Sequence, residues 1–280
     1  MSVDTIACEE FNANKLIFTE LDTESNENLL ISIPKYQYDE TEKPFIFETD
    51  WIEMTQYGIP RKGEDYGYYS NDTNRNFIDV PIDPNQWACA IMGNMLKQID
   101  AKVINNNLYM ASFAAEKYVS LNKMVKLFEY IPIVRQKKTY DDDELINPVE
   151  YKKREWYPFC RFNFLETFPD KLIGTKFNRV LPNGTLVPIN VKVMKDLNAD
   201  LTLGSRVKMI VSAKHFYATK TKVPSKYVRI AGCTFNVIQM DIKPRIKYNI
   251  SQLFGKYNFL DESEEDEIEP DDVESIVVEI

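Results

Sequence analysis

The side chains best equipped for chemistry gather at Lys214-His215-Phe216-Tyr217, a cation followed by three rings, inside the stretch GSRVKMIVSAKHFYATKTKVPSKYVRIAGCTFNVIQMDIKP at 204–244. A second gathering, YKKREWYPFCRF at 151–162, sets Trp156 and Tyr157 beside Lys152, Lys153, Arg154 and Arg161. Rings and cations in alternation suit one chemistry above others, the holding of unpaired nucleic acid. Bases stack on flat faces, and phosphates rest against Lys and Arg. The candidates are Trp156, Tyr157, Arg161, Lys208, Lys214, His215, Phe216, Tyr217, Lys220, Lys222 and Arg229, with Trp51 and Tyr57 next. The competing reading is an ordinary antiparallel sheet whose rings are core and whose outer face is wet and basic.

Catalytic patterns are scarce. His215 is the only histidine, which removes HExxH and any two-histidine mechanism. No GxxxxGK[ST], GxGxxG or GxSxG occurs. The run Asp141-Asp142-Asp143-Glu144 reads as a solvated loop, because adjacent carboxylates on a regular element point apart. Asp196, Asp200 and Asp241 form no recognisable metal pattern. Cys8, Cys89, Cys160 and Cys233 are far apart in sequence and make no CxxC, which argues against zinc and against a disulfide framework and fits a reducing compartment. The reading is therefore a non-enzymatic protein without cofactor or metal.

The net charge of −9 hides a partition. Residues 151–260 carry 20 Lys and Arg against 6 Asp and Glu, whereas residues 261–280 carry none against 11. A basic segment followed by an acidic one suggests a polyanion-binding surface with its own competing anion attached. The segment DESEEDEIEPDDVESIVVEI has too little apolar surface to fold, and disorder is expected there. Its aliphatic tip, Ile276, Val277, Val278 and Ile280, is suited to a partner's pocket. The N-terminal MSVDTIACEEF lacks the basic and apolar regions of a secretory signal, and no apolar run approaches the ~20 residues that span a bilayer.

Positioning these residues calls mainly for strands. Val207, Met209 and Val211 alternate with Arg206, Lys208 and Ser212, which predicts one apolar and one basic face. Strands are expected at 16–18, at 29–38 with Pro34 at an edge or a break, and at 45–51, 77–82, 129–135, 156–164, 172–181 and 185–193. Two or three more are expected in the 204–244 stretch, one of them starting at Tyr227–Ile230. A helix begins after Asp83, which can cap it, with Pro84 near its first position and Trp87, Ile91, Met95 or Leu96, and Ile99 at helical spacing, and further helix covers 107–128. The expected fold is mainly β with a helical insertion at about 84–128, an OB-like antiparallel barrel over 1–260 and a disordered acidic tail over 261–280.

The chain resembles single-stranded DNA-binding proteins of large double-stranded DNA viruses, and more distantly the phage T7-type protein. The resemblance lies in FETDWIEMTQYGIPR at 47–61, KQIDAKV at 97–103, FEYIPIVR at 128–135, TKFNRVLPNGTLVPINV at 175–191, the 204–244 stretch and the acidic tail. It implies an OB-type barrel that coats single-stranded DNA in viral replication, recombination and repair, with no enzymatic activity. It implies a tail that contacts polymerase, helicase or primase, and a location in the host cytoplasm, the nucleus or a viral replication site. Phage relatives often end that tail in an aromatic residue; here it closes on Ile280. Oligomeric state stays open, and so do an RNA-binding OB protein and an assembly protein without nucleic acid.

Overall fold

The computed structural model describes residues 4–59, 75–115, 127–136, 156–167, 172–224 and 227–245. The Asp141–Glu144 run, residues 151–155 and the tail with Ile276, Val277, Val278 and Ile280 lie outside them.

The N-terminal portion supplies β1 (Ile6–Ala7), β2 (Leu16–Phe18), β3 (Leu29–Ser32), β4 (Pro34–Tyr38), β5 (Thr41–Pro44), β6 (Ile46–Glu48), β7 (Ile52–Glu53) and β8 (Phe77–Pro81). The stretch expected as one strand at 29–38 divides before Pro34, which lacks an N–H to continue a ladder. Its first half pairs with Phe216–Thr219 and its second with β2 and β5, in a separate three-stranded sheet.

The helix α1 (Trp87–Val103) starts at Trp87 rather than at Pro84. Asp83 closes the preceding turn instead, its Oδ1 accepting from the Asn85 N–H at 2.9 Å. Cys89, Met92, Met95, Leu96, Ile99 and Val103 form the buried stripe, whereas Trp87 is exposed. Gly93 lets the helix lie against the end of β8, since a Cβ there would stand 2.6 Å from Ile82 Cγ2. A π turn (Ile104–Leu108) leads into α2 (Tyr109–Ala115).

The strands that carry the site follow. β9 (Phe128–Ile131) and β10 (Val134–Arg135) are split by Pro132, then come β11 (Phe159–Phe164), β12 (Glu166–Thr167), β13 (Leu172–Ile173), β14 (Lys176–Val180) and β15 (Leu186–Ile189). The β14–β15 connection turns at Gly184, φ +84°. β16 (Arg206–Thr219) and β17 (Arg229–Lys243) are the long central pair, and β17 is one continuous strand.

The expectation of an antiparallel barrel is corrected in two respects. β17 pairs in parallel with β9, β11 and β14, so the sheet is mixed. Among the described residues no ladder closes it. β7 runs along β16, and the chain then reaches β8 only through the two-bond bridge of Gly58 with Asp79, at 2.9 and 3.0 Å. The core sits on the inner face. Phe47, Phe162 and Phe235, from three strands, meet edge-on with centroids 6.0–6.1 Å apart. All four cysteines are free thiols, and burial pushes those of Cys8 and Cys89 up to about 12 and about 11.

Candidate nucleic-acid interface

Alternation assigns each side chain of the central pair to a face, and two irregularities modify the assignment. Val207, Met209, Val211 and Ala213 point inward, as the sequence pattern predicts. Between Ala213 and His215 the register slips, Ala213 facing Phe235 and His215 facing the adjacent Thr234. Lys214 is therefore an extra residue, a β-bulge. Beyond it the phase reverses, so Phe216 and Ala218 are fully buried while His215 and Tyr217 stay half-buried on the outer face. This corrects one candidate, because the Phe216 ring is core and offers no face to a base. A second slip between Ile210 and Val211 makes Ile238 the extra residue of β17.

The outer face then reads across the sheet by register. Arg206, Lys208, Ile210, Ser212, His215 and Tyr217 of β16 lie opposite Lys243, Asp241, Gln239, Asn236, Thr234 and Gly232 of β17. Asn163 of β11 lies beside Asn236, and Arg161 two residues earlier shares its face. Asp79 of β8 receives Arg161 in a two-pronged pair, Nε to Oδ1 at 2.8 Å and Nη2 to Oδ2 at 2.9 Å. The same guanidinium lies over the Phe77 ring, 3.6 Å from its centroid. Lys208 pairs with Glu48 at 2.5 Å. Lys214 and Lys176 are exposed and form no ion pair among the described residues.

Rings border this face in two places. Tyr57, held at φ +64°, packs on Trp156 and Phe159 at centroid separations of 5.4 and 5.0 Å. Its hydroxyl donates to the Tyr157 carbonyl at 2.5 Å, and burial, then Asp79, pushes that phenol up to about 12. Tyr157 is fixed in turn by Gln56 Oε1, which accepts from its N–H at 3.0 Å. Trp51 has the Lys243 ammonium over its ring, 3.9 Å from the centroid. Between the two borders, His215 meets Tyr217 edge-on at 6.2 Å. Burial, then the Lys214 charge, lowers the His215 imidazole below its ordinary value.

Lys220 and Arg229, candidates by residue type, do other work. The Lys220 ammonium donates to the carbonyls of Thr23 and Asn26, both at 2.6 Å. Arg229 donates through Nε to the Lys220 carbonyl at 3.0 Å and lies over Phe128. Lys222 is exposed at the hairpin tip, near Tyr227, which is 80% exposed.

Phe159, Lys243, Lys176 and Arg135 also belong to the outer face and are not among the sequence candidates. The first two were legible, since Phe159 alternates with Arg161, and Lys243 with Asp241. Arg135 carries no such signal, because β10 has only two residues.

The aspartates flagged earlier are each engaged. Asp200 pairs with Arg179, Asp241 accepts from Asn178 at 2.7 Å, and Asp196 accepts from the Lys192 and Val193 N–H groups.

No family model matches the chain, and no curated protein matches its sequence. Among solved structures it is similar to that of gp2.5, a single-stranded DNA-binding protein encoded by bacteriophage T7. The identity is 11%, the match covers 79% of this chain and 98% of that chain, and the TM-score is 0.37. The likeness is weak and distant, and it concerns the fold alone.

Proposed function

We propose that this protein binds single-stranded DNA, without catalysing a reaction, on the outer face of β16, β17, β11 and β10. The observation that carries the reading is the arrangement of this face, where cations and half-buried rings alternate around a central row of Asn163, Asn236 and Ser212. Stacking and phosphate contact are both available on it. Trp156, Tyr57, Phe159, Tyr217 and Trp51 are the ring candidates, and Arg135, Arg161, Lys208, Lys214, Lys243 and Lys176 the cations. Asp79 and Glu48 already neutralise Arg161 and Lys208. These two therefore serve the DNA by position, while Lys214, Lys243 and Lys176 supply unspent charge. A footprint of about 4–16 nucleotides is the scale of one such face.

In the finer reading the protein coats unpaired DNA during viral replication, recombination and repair inside the host cell. The acidic segment 261–280 competes for the same face. Its aliphatic tip, Ile276, Val277, Val278 and Ile280, recruits replication proteins such as polymerase, helicase or primase. The charge partition of the chain supports this part.

A mobility shift with single- and double-stranded DNA at two salt concentrations tests the core of it. Selective retention of single strands, weakening steeply with salt, is expected. Equal indifference to both would sink it, and preference for rU over dT oligomers would redirect it to RNA. Removing 261–280 should tighten binding most at low salt, and no change across the series would discard tail competition.

A further inference from the structure

We propose that Arg135, flanked by Tyr217 and Arg161, seats one phosphodiester of the bound strand. This rests on the DNA-binding reading above and assigns it a fixed point.

Arg135 lies opposite Phe159 on the neighbouring strand, so Arg161, two residues along β11 on the same face, is its diagonal neighbour. Two guanidinium groups thus share one patch of sheet. The carboxylate in that patch, Asp79, is already gripped at both oxygens by Arg161. Arg135 is left as the surplus charge. Its Nε donates to the Pro132 carbonyl at 3.2 Å, and among the described residues its terminal nitrogens have no protein acceptor.

Tyr217 completes the seat. A Cβ on Gly232 would lie 3.1 Å from Tyr217 Oη and 3.4 Å from the Ile131 carbonyl. The phenol therefore crosses β17 at the one position without a side chain and ends beside the 131–135 turn. The Tyr217 phenol and the Arg135 guanidinium are close enough to act on each other's titration, and burial, then Arg161, disfavours the Arg135 cation.

The turn itself is anchored from below. Asp100 of α1 accepts from Tyr130 Oη at 2.5 Å and from the Ile133 N–H at 3.1 and 3.0 Å. A half-buried cation beside a second cation is costly until an anion arrives. The Arg135 fork and the Tyr217 hydroxyl, pre-placed, match oxygens of a tetrahedral phosphate, and Arg161, held by Asp79, borders the seat.

The full chain is titrated with a labelled dT oligomer across a salt series, as wild type, Arg135→Gln and Arg135→Lys, with a thermal melt of each. Arg135→Gln should weaken binding at least about tenfold at low salt, the scale of charge-assisted hydrogen bonds. It should also flatten the log K against log salt slope by about 0.7, one single-strand phosphate. Arg135→Lys should restore the slope but only part of the affinity. An unchanged slope in Arg135→Gln, with or without a lower melting temperature, overturns the seat while wild-type binding stands. Absence of wild-type binding to dT would instead remove the functional reading on which it rests.

Discussion

At the hairpin end of β16 and β17, Lys220 ties down the N-terminal arm through two carbonyls, and Arg229 closes the hairpin on itself. Further along the same strands, Lys214 stands exposed and, at the far end, Lys243 lies over the ring of Trp51. The side-chain types are the same, and their surroundings make one set structural and the other available. At the tip, unpaired backbone oxygens of the arm need donors, and a long flexible ammonium reaches them. On the body of the sheet alternation turns the cations outward, and Lys214 meets no carboxylate among the described residues. The lesson is that a basic strand counts as an anion surface only after the acceptors already within its reach have been subtracted.

The comparison can be broken by exchanging the roles. The largest effect is expected from Phe216→Ala, which should cost about 3–5 kcal/mol of stability in chemical denaturation because the ring fills the core. A mild stability loss with severe loss of DNA binding would mean that the ring faces outward after all. Lys220→Met should cost about 1–3 kcal/mol in the same assay by removing two hydrogen bonds from a charged donor, and should leave the salt slope of DNA binding where it was. Trp156→Ala should lose about 1–3 kcal/mol of binding to a dT oligomer, measured by titration; full retention would take the Tyr57–Trp156–Phe159 border out of the interface. Lys243→Gln should leave the melting temperature nearly unchanged and reduce the salt slope by about 0.7.

The smallest effect concerns pH. Burial, then Lys214, lowers the folded-state His215 value, so the unfolded chain takes up the proton first as pH falls. The neutral ring's contribution is complete above its ordinary value of about 6.5 and declines as pH drops towards the folded-state value. Melting temperatures at pH 7 and 5.5, compared between wild type and His215→Gln, should show a larger acid-side drop in wild type.

Much of the strand layout was legible because alternation is a local property. The 207–211 pattern, the break at Pro34 and the turn at Gly184 all follow from residues within a few positions of one another. The helix was legible too, although Trp87, on the same spacing as Ile91 and Ile99, is exposed, since a spacing of four fits two adjacent stripes and only packing selects between them. What stayed hidden depends on partners distant in sequence. The parallel pairing of β17 with β9, β11 and β14 has no local signature. The bulge at Lys214 has none either, so unbroken alternation placed Phe216 outside. Arg135 was invisible because its setting is built by Asp100, Gly232 and Tyr217 from three separate elements.

Because Lys214 is supernumerary, the strand can shed it without re-threading anything. With that residue deleted, Ala213 is followed directly by His215, and simple alternation returns Phe216 to the interior and Tyr217 to the exterior. A change of charge at this position, or its deletion, should therefore alter the outer face while the residues on either side keep the faces they have.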